Sequence, residues 1–157
     1  MNKVVLITGV AGGIGSATAR VFNEAGWRVI GVDLRQTHTL PGVQHFIHAD
    51  ISDIAASQRI FAEVAEDEGR TNALINNAAL QICKPLVETT PDEWDAVMAS
   101  NVRSVYLAVC AMPTHSCGPT VEPSLTSARC TLSLPRPTSP LCCKQWGVAG
   151  VDAGSGR

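Results

Sequence analysis

The stretch TGVAGGIG, Thr8 to Gly15, holds four glycines in eight residues and follows directly on the apolar run Val4–Ile7. Few folds accommodate that juxtaposition. A continuous β-branched run reads as a strand covered on both faces, the pattern of parallel sheets. Ile14–Ala25 then reads as a helix, with Gly26 as its C-terminal stop. A strand that turns at once into a helix leaves backbone N–H groups pointing outward at the helix start. Those donors, together with the helix dipole, attract a diphosphate. Glycine allows the tight turn and lets phosphate come close to the backbone. The bland alternative is a turn with no ligand. A P-loop is excluded in practice, because no Gly-Lys-Ser or Gly-Lys-Thr follows.

Further strands read at Trp27–Leu34, Val43–His48 and Ala73–Asn76, and the first spans Lys3–Thr8. A second helix reads over Ile54–Glu68, with Ile54, Ile60, Phe61 and Val64 on one side and Gly69 as its stop. Thr90, Pro91, Asp92 and Glu93 form a capping box with proline at the first helical position, opening a helix to about Ala111. This alternation predicts an α/β fold: a partial, Rossmann-like doubly wound parallel sheet of about four strands.

After Met112 the character changes. Six of the nine prolines lie between Pro113 and Pro140, among many Ser, Thr and Cys residues, and no period persists. Residues 1–112 are therefore expected to form the dinucleotide-binding unit and residues 113–157 an irregular or disordered tail.

A formal charge of −2, scattered Lys and Arg and only seven aromatic residues argue against a nucleic-acid surface. The N-terminal apolar run is broken by Thr8 and the glycines, so it does not read as a signal peptide. No stretch is long enough to cross a membrane, and the expected location is cytoplasmic. The six cysteines form no CxxC pair and read as free thiols. No Cys/His cluster has ligand spacing, so no metal site is expected.

Asp33 ends the second strand at about the spacing where an acid accepts hydrogen bonds from an adenosine ribose. A 2′-phosphate there would meet a carboxylate, which favours NAD over NADP. Arg35 works the other way, since a nearby arginine accommodates that phosphate.

At this point the residues resemble the short-chain dehydrogenase/reductase family. Thr8, Gly9, Gly13 and Gly15 match its TGxxxGxG motif, and Gly12 makes the same residues fit the TGxxGxxG form of a longer branch. The segment NNAA, Asn76 to Ala79, is similar to the family's NNAG and favours the shorter branch; Ala79 departs from its glycine. The segments HADIS and NVRSVYLA resemble two more family segments, so the likeness covers about Lys3 to Met112. It implies a strand order 3-2-1-4 and a cofactor site of Thr8, Gly9, Gly12, Gly13, Ile14, Gly15, Asp33, Leu34, Asp50, Ile51, Asn77, Ala78 and Ala79. Asp50 would bind the adenine amino group, with Ile51 beside the ring; the alternative is a cap for the following helix. Asn77 would lie near the nicotinamide ribose, or is a turn residue.

Asn101 matches the family's catalytic Asn, which holds a water in a proton relay. It falls on a stripe with Trp94, Val97, Met98, Val105 and Ala108, and the alternative is an Asn satisfied by backbone. An unpaired buried amide costs roughly 1–3 kcal/mol.

The family's chemistry is hydride transfer between a nicotinamide and a secondary alcohol or ketone. It uses a Tyr acid/base whose pKa a Lys four residues on lowers from about 10, and a Ser that polarises the substrate oxygen. This sequence has one tyrosine, Tyr106, followed four residues later by Cys110, and it reads as a packing residue. Lys144 is preceded four residues earlier by Pro140, and Ser124, Ser127 and Ser133 do not match the family's serine. Two readings follow: an NAD-dependent short-chain oxidoreductase, or a catalytically inactive NAD-binding fragment. Shifted reading frames through codons permitted for Val121–Arg129 and Leu141–Gly147 spell family-like segments, so a frameshift near Met112 is an expectation. The resemblance also implies a homo-oligomer, and the substrate class stays open.

Overall fold

The structure, a computed structural model, describes residues 3–37 and 40–111. The elements run β1 (Val4–Thr8), α1 (Gly13–Glu24), β2 (Arg28–Asp33), β3 (His45–His48), α2 (Ile54–Glu68) and β4 (Ala73–Ile75). A short 3₁₀ turn (Leu86–Glu88) leads to α3 (Pro91–Met98), a π-wound segment (Ala99–Arg103) and α4 (Ser104–Ala111).

The sheet is parallel throughout, in the order β3-β2-β1-β4. Its central strand explains the uninterrupted apolar run. Val4 and Leu6 pack with Ile30, Val32, Ile60, Phe61, Val64 and Ala108 on the α2/α4 side. Val5 and Ile7 pack with Val10, Ala19, Val29, Phe22 and Trp27 on the α1 side. Side chains alternate across a strand, so a strand covered on both faces must be apolar at every position. Fully burying a Val, Leu or Ile side chain in these layers contributes about 1.5–3 kcal/mol. The Phe22 and Trp27 rings meet edge-on at 5.1 Å.

The strands and first two helices fall where the periodicity places them, within about two residues at each end. Val43 lies outside β3 because its N–H closes a turn onto Leu40 O. The last helix departs more. Instead of one run to Ala111, the chain widens into a π-turn at Ala99–Arg103. The extra residue breaks the 3.6-residue stripe, so Trp94 is 43% exposed while Ala108 is buried. Tyr106 also corrects the sequence reading: it is 66% exposed on α4 and packs no core. Among the described residues β4 is an edge strand. The expectations for residues 113–157, including the frameshift, lie outside the described residues.

Candidate functional site

The glycine turn joins β1 to α1 at the carboxyl edge of the sheet, and its glycines have different reasons for being there. Gly9 has φ +69°, and a Cβ on it would sit 2.7 Å from Ala78 Cα. A Cβ on Gly15 would sit 2.2 Å from Gly9 O and 2.8 Å from Val10 Cα. These two positions cannot carry a side chain without moving backbone. Gly12 would meet Gly9 O at 3.3 Å and Arg35 Nη2 at 3.6 Å, whereas Gly13 has nothing within 4 Å. The turn itself therefore does not need glycine at residue 13.

The start of α1 differs from the other capped helices. Asp53 caps α2 by accepting from Ala55 N at 3.1 Å. Thr90 and Glu93 close a reciprocal capping box on α3. At α1 the N-cap is Gly12, with no side-chain cap and no acid in the first turn. The first-turn N–H groups, those of Gly13, Ile14 and Gly15, have no partner within the helix and carry the positive end of its dipole.

Asp33, 7% exposed, braces the turn from β2. Its Oδ2 accepts from Ala11 N at 2.9 Å, and its Oδ1 accepts from Arg35 N at 2.9 Å and Arg35 Nε at 3.4 Å. Leu34 is exposed beside it. A carboxylate offers about four lone-pair positions, so acceptor capacity remains.

A second loop locks the turn from β4. Thr8 Oγ1 accepts from Asn77 N and Ala78 N, both at 3.1 Å, and donates to Ile75 O at 3.4 Å. Asn77 Nδ2 donates to Thr8 O and to Gly9 O at 3.0 Å each. Both amide protons of Asn77 are thus used internally, which gives it a role as a turn residue. The Thr8 hydroxyl as a hub escaped the sequence reading, because its partners lie about seventy residues away.

Asp50 is exposed, and its Oδ1 accepts from Ser52 N at 2.8 Å. It does not cap α2; Asp53 does, which removes the bland alternative for Asp50. Ile51 packs against the α2-side core. His48, as its Nε2–H tautomer, donates to Leu34 O at 2.8 Å, and Arg103 Nη2 donates to Ser52 O at 2.9 Å. These bonds join the end of β3 to the loop after β2 and tie the loop after β3 to the π-turn.

Asn101 sits in that π-turn, half-buried. Its Oδ1 accepts from Leu80 N and its Nδ2 donates to Leu80 O, both at 2.8 Å, so backbone satisfies the side chain. Ala79, next to Leu80, is exposed. Tyr106 stands apart. A hydrogen bond with the Cys110 thiol pushes its phenol above the ordinary value of 10, the wrong direction for an acid/base near neutrality. The structure places the thirteen expected cofactor residues at strand ends, in the loops that follow them and in the first turn of α1, along the carboxyl edge of the sheet, where ligands of such sheets bind.

The sequence profile of the short chain dehydrogenase family matches residues 3–116. Meso-2,3-butanediol dehydrogenase of Serratia marcescens is 34% identical over 111 residues, covering 66% of this chain and 44% of the relative. The chain thus spans less than half the length of that relative. A short chain dehydrogenase from Leptospira borgpetersenii with bound NAD+ superposes with a TM-score of 0.65 at 27% identity, over 71% of this chain and 44% of that one. A metagenomic short-chain oxidoreductase in complex with NADP superposes with a TM-score of 0.62 at 28% identity, over 70% and 54%. With its glycine turn, parallel sheet order and NNAA loop arranged as described, this chain belongs to the short chain dehydrogenase family.

Proposed function

We propose that this chain binds a nicotinamide dinucleotide at the carboxyl edge of its sheet and, lacking a Tyr-x-x-x-Lys pair, does not itself oxidise alcohols. The contrast between helix starts carries this reading. α2 and α3 are capped by their own side chains, while α1 is uncapped and opens onto free space at Gly13. A diphosphate matches that start in charge and in donor supply.

In this reading the Gly13, Ile14 and Gly15 amides hold the diphosphate, with Gly9 and Gly12 shaping its approach. Asp33 and Leu34 take the adenosine ribose, and Asp50 and Ile51 take the adenine. Asn77, Ala78 and Ala79 border the nicotinamide side, and Thr8 holds that loop in place. The bound dinucleotide supplies hydride acceptance at its nicotinamide ring. The chain's own residues bind it, orient it and, through the Thr8–Asn77 bonds, fix the distance between its two half-sites.

NAD is the preferred form, because the Asp33 carboxylate opposes a 2′-phosphate. Arg35 supplies the opposite charge from beside Gly12, so NADP binds more weakly but measurably. The second reading is hydride transfer with a secondary alcohol or ketone, favoured by family membership and by Asn101 in the π-turn. Calorimetry with NAD+ and NADP+, beside NADH formation over a panel of secondary alcohols, separates the two. Binding without turnover supports the first reading and turnover supports the second; absence of binding by either cofactor overturns both.

A further inference from the structure

At the opposite edge of the sheet, the amino end of β3, a second polar cluster forms that the cofactor reading does not use. His45 opens β3 with its side chain 24% exposed. Its Nε2 lies 3.1 Å from Glu63 Oε1 and its Nδ1 lies 3.8 Å from Asp67 Oδ2. Glu63 and Asp67 are four residues apart on α2, so they share one helix face. One oxygen from each carboxylate and one imidazole nitrogen all lie within 4.8 Å of one another.

Two carboxylates side by side on a helix repel, and a cation between them relieves that repulsion. Ligand atoms about 2.0–2.2 Å from a common ion stand roughly 3 Å apart, a spacing the His45–Glu63 pair already has. Asp67, 54% exposed, now faces the other ring nitrogen at 3.8 Å, and its carboxylate would turn toward the shared ion to complete the set. One imidazole and two carboxylates suit zinc, cobalt or nickel better than magnesium or calcium, which favour all-oxygen sets. We infer that His45, Glu63 and Asp67 form a binding site for a divalent transition-metal ion that clasps β3 to α2. The sequence offered no sign of it, because the ligands come from separate elements and no Cys/His pair has ligand spacing. The inference does not rest on the cofactor reading.

The test is a Co2+ titration of the full chain by calorimetry and visible absorption, with His45→Gln and with the double variant Glu63→Gln/Asp67→Asn. Cysteines and the other histidines are common to all three proteins, so the difference between them isolates this site. The wild-type chain is expected to take up one equivalent more than either variant, or to bind it roughly tenfold or more tightly. That uptake should weaken below neutral pH as protons compete for the imidazole. Both carboxylates face solvent, so the double variant reports even if His45→Gln perturbs β3. Equal uptake and affinity in wild type and double variant overturn the site. NAD+ affinity measured alongside should not change.

Discussion

Replacing Gly13 with valine separates ligand from fold at a single position. Nothing lies within 4 Å of a Cβ there, and a β-branched residue in the first helical turn costs less than about 1 kcal/mol. The thermal midpoint of Gly13→Val should hold within a few degrees, while NAD+ affinity by calorimetry falls by roughly tenfold or more, as the side chain fills the phosphate approach. Gly15→Val is the matched control: its Cβ would stand 2.2 Å from Gly9 O, so it should lower the midpoint itself. Arg35→Ala should cut NADP+ affinity and leave NAD+ affinity within about twofold, because the extra phosphate loses its positive partner while Asp33 keeps its two shorter bonds, from the Ala11 and Arg35 backbone N–H groups. Tyr106→Phe should change neither binding nor turnover. Any turnover lost on that change would make the exposed phenol a participant.

The elements carry their own tests. Asn77→Ala strips two donors from Thr8 O and Gly9 O and should cost about 1–3 kcal/mol in denaturant midpoint analysis. At the other end of the same loop, Lys84 pairs with Glu93, which also accepts from Thr90 N. The Lys84 hydrogen bond and then the Thr90 backbone hold the Glu93 carboxyl near 2, against an ordinary 4.5. A depressed carboxyl stabilises above its unfolded value and loses that contribution as pH falls. Unfolding between pH 4.5 and 2 should therefore be steeper in wild type than in Glu93→Gln. Sequence reading recovered these elements well, since β1 repeats apolar residues without a gap and α3 announces itself by its capping box. It failed where geometry is decided at a distance. The π-turn at Ala99–Arg103 has no composition of its own, and Asn101 finds Leu80 only after folding. Asp50 and Asp53 look alike as caps in sequence, each accepts from the N–H two residues on, and the start of α2 at Ile54 decides that Asp53 is the cap.

For the molecule as a whole, dinucleotide binding should appear as stability. A ligand at 100 times its Kd adds about 2.7 kcal/mol, which raises the melting midpoint by several degrees in a chain this size. We expect that shift with NAD+ and no NADH formation from secondary alcohols. The change of character at Met112 lies four residues before the family profile ends at residue 116. Our proposal that the reading frame shifts there predicts family-like sequence in a shifted phase of the DNA; two uninformative phases would reject it.

The bonds that fix the glycine turn begin and end between Thr8 and Ala78. On our reading, the grip on a dinucleotide is thus a self-contained cartridge, closed within the first half of the sequence. If that reading holds, damage to residues beyond Ala78 and damage to ligand capture would be separable injuries.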